Sequence, residues 1–195
     1  MPILLPLVGD EPPERADAAR NREALLAAAD ELIAECGVAS LTMDALATRA
    51  GVGKGTVFRR FDSREGLMAA LLNRSETQFQ AAILSGPPPL GPGAAPMERL
   101  LAFGHTRIVL NRIHGALIMA AGRAGERSYA SVSFTAMHMR YLLGELGVRG
   151  DIPFLATALL APLEAPILEQ VEIDEMDLAR FVEAWDDLVR RVVGG

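Results

Sequence analysis

The chain has 195 residues, half of them hydrophobic, and a formal net charge of −6 at pH 7. That length suits one compact unit of two subdomains with a sizeable core, and the acidic balance argues against a general nucleic-acid coat. A single cysteine, Cys36, excludes an intramolecular disulfide.

Residues 1–14, MPILLPLVGDEPPE, open with a short apolar run broken by Pro2 and Pro6. The run lacks the basic lead and the length of a signal peptide and is too short to span a bilayer, so a flexible tail is expected. No later apolar run reaches spanning length without charge or proline, and a cytoplasmic protein with no membrane contact is the expectation. Residues 17–36 predict an amphipathic helix, with Leu25, Ala28, Ala29, Leu32, Ile33 and Cys36 at three- and four-residue spacing and Gly37 ending it. Cys36 falls on the apolar stripe and is expected as a small core residue.

The stretch from Leu41 to Leu67, LTMDALATRAGVGKGTVFRRFDSREGL, reads as two short helices joined by a tight turn, with a third starting at once. Thr42 is placed to cap the first, from about Met43 to Ala50, and Gly51 supplies the positive φ of the turn. The second helix runs from about Gly53 to Arg60; Ala45, Leu46, Ala50, Val52 and Val57 let the two cross closely. This is the pattern of a helix-turn-helix, whose second helix enters the major groove of DNA. Asp62 and Glu65 predict a D-x-x-E capping box for a fourth helix, from about Ser63 to Leu84. Charge supports the reading only locally: residues 1–75 hold nine basic and eleven acidic groups, but residues 54–64 hold four basic groups against Asp62. Such a patch binds phosphate at one face while the acidic body resists nonspecific adhesion.

At these residues the chain resembles the TetR family of bacterial transcriptional regulators. The matching pieces are Arg20 to Gly37, Leu41-Thr42, Leu46-Ala47, Ala50-Gly51-Val52, Gly55-Thr56 and Phe61 to Leu67, within roughly residues 18–72. The resemblance implies an all-α protein: a helix-turn-helix domain over residues 15–72, then a helical effector-binding and dimerisation domain over residues 73–195. It implies a ligand-responsive repressor that binds a near-palindromic, double-stranded operator as a homodimer, with no catalytic residues and no cofactor.

The expected DNA-contacting residues are Thr42, Lys54, Gly55, Thr56, Phe58, Arg59, Arg60 and Arg64. Arg60 reaches either a guanine O6/N7 pair or a phosphate, and Thr56 and Lys54 carry the same two alternatives. Thr42 and Arg64, at or near helix starts, suit backbone phosphates. Three positions depart from the family pattern: Gly53 replaces a frequent Ser cap, Phe58 a Tyr and Arg60 a His.

Residues 86–96, GPPPLGPGAAP, interrupt any helix and divide the chain. Beyond them come four helical patterns, roughly 97–121, 127–147, 152–170 and 175–193. The last two are apolar over much of their circumference and predict burial on two sides. The family resemblance makes them the dimer surface, with Phe154, Leu159, Leu163, Ile167, Phe181, Trp185 and Leu188 as its residues; the alternative is that they fill the core of one protomer.

The middle helices carry the pocket candidates Phe103, His105, Ile108, Arg112, Leu117, Phe134, Met137, His138 and Tyr141, joined by Met119, His114 and Tyr129. Gly104, Gly115, Gly122 and Gly144 weaken these helices, which is easier to understand around a cavity. A small apolar or amphipathic effector is the expected ligand. The three histidines lack i,i+4 spacing and a cysteine partner, so no metal site is expected. Two alternatives stay open: a DNA-binding regulator without a small-molecule effector, and an α-helical enzyme using His105, His114 or His138 as general base.

Overall fold

A computed structural model describes residues 13–121, 129–164 and 177–194. Every regular element among them is helical: α1 (Pro13–Cys36), a 3-10 turn (Val38–Ser40), α2 (Met43–Ala50), α3 (Lys54–Phe61), α4 (Arg64–Ser85), α5 (Pro96–Ala121), α6 (Tyr129–Glu145), α7 (Ile152–Leu160), a second 3-10 turn (Ala161–Leu163) and α8 (Leu178–Gly194). The chain divides into two compact units, Met1–Leu67 and Met68–Gly195, with the border inside α4.

In the first unit, α1 to α3 enclose Leu25, Leu26, Ala29, Leu41, Met43, Leu46, Ala47, Val57 and Phe61. Local chemistry sets the boundaries of α2. Thr42 Oγ1 accepts the Ala45 N–H at 3.1 Å, and Gly51 ends the helix in the left-handed region at φ 66, ψ 30. The Gly51 N–H bonds the Thr48 carbonyl and the Val52 N–H bonds the Ala47 carbonyl, the two bonds of a Schellman turn. Arg49 ties α2 to α1 through a double hydrogen bond to Glu35, and this bond holds the Glu35 carboxyl below its ordinary range. Cys36 is exposed rather than in the core: the periodicity reaches it, but it is the last residue of α1.

The α3–α4 junction differs from the expected capping box. Asp62 belongs to the end of α3, at φ 67 and ψ −53, in a γ-turn closed by the Ser63 N–H on the Phe61 carbonyl at 2.7 Å. The cap of α4 is Ser63, whose Oγ accepts the Gly66 N–H at 3.1 Å. The turn presses the Phe61 carbonyl oxygen to within 2.1 Å of where a Cβ on residue 66 would stand, so only glycine fits there.

The second unit packs α5, α6, α7, α8 and the greater part of α4 around Phe79, Ile83, Leu100, Phe103, Ile108, Met139, Leu142, Leu143, Ala156, Leu159, Leu163, Phe181, Trp185 and Val189. Asp151 caps α7, its Oδ1 accepting the Phe154 N–H at 3.0 Å. The helix expected over 152–170 stops at Leu160, because Pro162 brings no N–H and the chain tightens into the 3-10 turn before Glu164 turns extended. The rest of that pattern lies outside the described residues, as do Ile167, Gly122 and the side chains of Met119 and Tyr129. Gly104 is explained by packing rather than by a cavity, since the Trp185 ring occupies the place of its Cβ. A Cβ at Gly115 or Gly144 would meet nothing within 4 Å.

Candidate nucleic-acid interface

Helix α3 buries Val57 and Phe61 and leaves Lys54, Gly55, Thr56, Phe58, Arg59 and Arg60 exposed. At about 100° per residue, Gly55 and Arg59 lie opposite the buried edge, with Lys54 and Phe58 on one flank and Thr56 and Arg60 on the other. The Lys54 ammonium sits 5.7 Å from the Phe58 ring centroid, and Arg59 Nη2 reaches Thr56 Oγ1 at 3.4 Å. Arg60 makes no hydrogen bond or ion pair with any of the described residues, leaving its full fork of donors for an outside acceptor. A Cβ at Gly55 would meet nothing within 4 Å, so no contact in this chain requires the glycine. Thr42 is exposed, and because its oxygen is the acceptor in the α2 cap, its O–H stays available as a donor.

Arg64 stands apart from the other seven. Its Nε donates to the Leu41 carbonyl at 2.8 Å and its Nη2 to the Val38 carbonyl at 2.9 Å, so its guanidinium braces the segment entering α2. Sequence reasoning passed over Asp44, on the exposed first turn of α2, whose carboxylate holds Lys54 at 2.7 Å. The two residues are ten positions apart on different helices, a separation without any periodic signature.

Four of the pocket candidates come together in the second unit. Ring centroids of Phe103 and His138 lie 5.8 Å apart, Phe134 and His138 6.3 Å, and His138 and Tyr141 6.3 Å. Phe79 of α4, absent from the sequence-based set, joins through Phe103 at 5.3 Å. Ile108 and Leu117 are buried, whereas Arg112 and Met137 are exposed. His105 faces another way: its Nε2 lies 2.7 Å from Asp186 Oδ1 on α8. It also borders an open groove of about 590 Å³ between α5 and the proline-rich loop, with Pro88, Pro89, Glu98 and Leu101.

His138 is 7% exposed, and its Nε2 has no hydrogen-bond partner among the described residues. Burial, reinforced by the Arg99 charge, pushes its pKa from 6.5 down to about 4. The unfolded chain therefore binds a proton that the folded protein refuses, and stability falls as pH drops from about 6.5 to about 4. His138→Phe is expected to flatten that part of the curve in urea titrations taken every half unit. A variant whose pH dependence matched the wild type would contradict this assignment.

The expected dimer residues separate. Leu159, Leu163, Phe181 and Trp185 lie in the core of the protomer, at 7% exposure or less, and are not on a surface. Their apolar stripes meet α5 and one another instead of a second chain, and the Trp185 Nε1–H is bonded to the Leu159 carbonyl at 3.0 Å. Phe154 and Leu188 remain exposed, at 68% and 38%.

The helix-turn-helix segment also matches known proteins. Residues 25–71 match the family model described as bacterial regulatory proteins, tetR family. The chain is 33% identical over 81 residues to the HTH-type transcriptional repressor BepR of Brucella suis biovar 1 (strain 1330), a match covering 39% of each protein. The match thus spans well under half the length of that curated relative. The fold resembles the crystal structure of a TetR-family transcriptional regulator from Pectobacterium atrosepticum, with a TM-score of 0.73 and 22% identity over 91% of this chain and 96% of that one. It also resembles a SmeT–triclosan complex, with a TM-score of 0.60 and 19% identity over 88% and 90% of the two chains. The α2–turn–α3 segment lies inside the residues that match the model of the tetR family of bacterial regulatory proteins.

Proposed function

We propose that the protein is a sequence-specific DNA-binding transcriptional regulator, a repressor that binds a near-palindromic operator as a homodimer and responds to a small apolar or amphipathic effector. The observation that carries the reading is α3: a helix locked behind a Gly51 turn by Val57 and Phe61, presenting Lys54, Thr56, Arg59 and Arg60 outward. Two such helices, one per protomer, meet successive half-sites of a palindrome. Phe154 and Leu188 are the exposed apolar residues of α7 and α8 that serve the pairing. The relatives are regulators, and the enzyme alternative is not adopted.

The Phe79–Phe103–His138–Phe134–Tyr141 cluster offers aromatic surface beside one unpartnered imidazole nitrogen, and SmeT, a structural neighbour, binds triclosan. Both favour an apolar ligand with one polar group. A regulator without an effector would show the same DNA affinity with every compound tried.

The test is fluorescence-anisotropy binding to DNA flanking the protein's own gene, beside a shuffled duplex, across a salt series. Preference for the native DNA by about a thousandfold is expected, within the range of specific regulators. Arg59→Ala and Arg60→Ala are each expected to weaken binding by about 1–3 kcal/mol if they read bases, or to reduce the salt slope by about 1 if they hold phosphates. Equal and weak binding to both duplexes by folded protein would overturn the proposal.

A further inference from the structure

Lys54 is the only lysine in the chain and the first residue of α3. Its Nζ lies 2.7 Å from Asp44 Oδ1 and 2.9 Å from Oδ2, while both side chains are more than half exposed. The Asp44 carboxylate therefore stands on the outer surface of α2, beside the residues proposed to meet DNA. A carboxylate in that position repels phosphates and occupies the cation that opens the recognition helix. Its other neighbours do not explain it: Thr48 Oγ1 donates to the Asp44 backbone carbonyl, not to its side chain. Helix capping does not need it either, since Thr42 caps α2.

Resting on the DNA-binding reading above, we infer that Asp44 is a built-in competitor for DNA phosphate, an electrostatic brake that withholds Lys54 from the duplex. An exposed pair of this kind holds Lys54 in place while adding little to stability. For DNA binding the same carboxylate matters more, because each phosphate neutralised by a cation adds about 0.9 to the salt slope. With Asp44 present, Lys54 arrives already neutralised and releases no counterion. The positive face of the domain is then smaller by one charge than its sequence suggests, which restrains nonspecific binding while Arg59 and Arg60 stay exposed.

The experiment compares the wild type, Asp44→Asn and the double variant Asp44→Asn/Lys54→Gln on the native and shuffled duplexes across a salt series, with circular dichroism melts confirming the fold of each. Asp44→Asn is expected to bind shuffled DNA several-fold more tightly at low salt, with a slope steeper by about 0.9. The double variant is expected to return to the wild-type slope, because the extra phosphate contact belongs to Lys54. An unchanged slope in Asp44→Asn, with DNA binding intact, would overturn the brake and leave the regulator reading standing. Loss of native-sequence binding together with tighter shuffled binding would also overturn it, making Asp44 a reader of a base amine. If the folded wild type bound neither duplex at low salt, both the brake and the regulator reading would fall.

Discussion

Replacing Gly104 by alanine is expected to destabilise the C-terminal unit by about 3 kcal/mol, at the upper end of what one added methyl does in a packed core. An ideal Cβ at this position would lie 2.1 Å from both Cη2 and Cζ3 of Trp185 and 2.6 Å from Cζ2. The indole has no easy retreat. It is 2% exposed, and its Nε1–H is bonded to the Leu159 carbonyl, so moving it strands a buried polar pair. The substitution thus forces α5 and α8 apart along the seam that His105 and Asp186 also span. Urea denaturation followed by the emission of Trp185, the protein's one tryptophan, reads the effect directly. Shrinking the ring tests the cause: Trp185→Phe in the Gly104→Ala background is expected to be less destabilised than the sum of the single changes. A Gly104→Ala protein as stable as the wild type would mean that the close approach of ring and helix is wrong.

Glu76→Ala is expected to have a comparable or larger effect, about 3–5 kcal/mol, by leaving a buried guanidinium without its counter-charge. Arg107 is 3% exposed and Glu76 8%. The two are joined by parallel bonds of 2.7 and 3.0 Å, Arg107 Nη2 also donates to Thr135 Oγ1 at 3.2 Å, and the guanidinium lies 4.4 Å from the Phe79 ring centroid. The pair stitches α4, α5 and α6 together from inside. Desolvating two charges offsets much of their attraction, so removing both is expected to be milder than removing one. Glu76→Leu/Arg107→Met should therefore lie closer to the wild type than Glu76→Ala in guanidinium titrations. Equal losses in the double and single variants would contradict the burial of the pair.

The N-terminal unit was the more legible half because its instructions are local. Thr42 one residue before α2, Gly51 one residue after it, and Val57 and Phe61 four apart each act within a turn of where they stand. The expected bounds of α2, Met43 and Ala50, are the observed ones. One local signal misled: the D-x-x-E spacing at Asp62 competes with Ser63, and the tight turn out of α3 leaves Asp62 in the wrong conformation to cap α4. Arg64 also looked like its basic neighbours, yet its partners are carbonyls 23 and 26 residues back in the chain.

In the C-terminal unit the apolar periodicity of residues 178–193 correctly announced a buried face, and Phe181, Trp185 and Val189 form it. Periodicity states how much surface must leave water but not which surface covers it, because the hydrophobic effect has no direction. A second protomer and the protomer's own α5 satisfy the same stripe equally well. The sequence by itself determined an all-helical chain and a helix-turn-helix that resembles the tetR family, through caps, turns and spacing that act over a few residues. Only the tertiary structure decided that Trp185 packs on Gly104, that Glu76 neutralises Arg107 and that Asp44 holds Lys54. Each of these depends on two helices arriving at one place, and the energy that selects the pairing exists only once they have met.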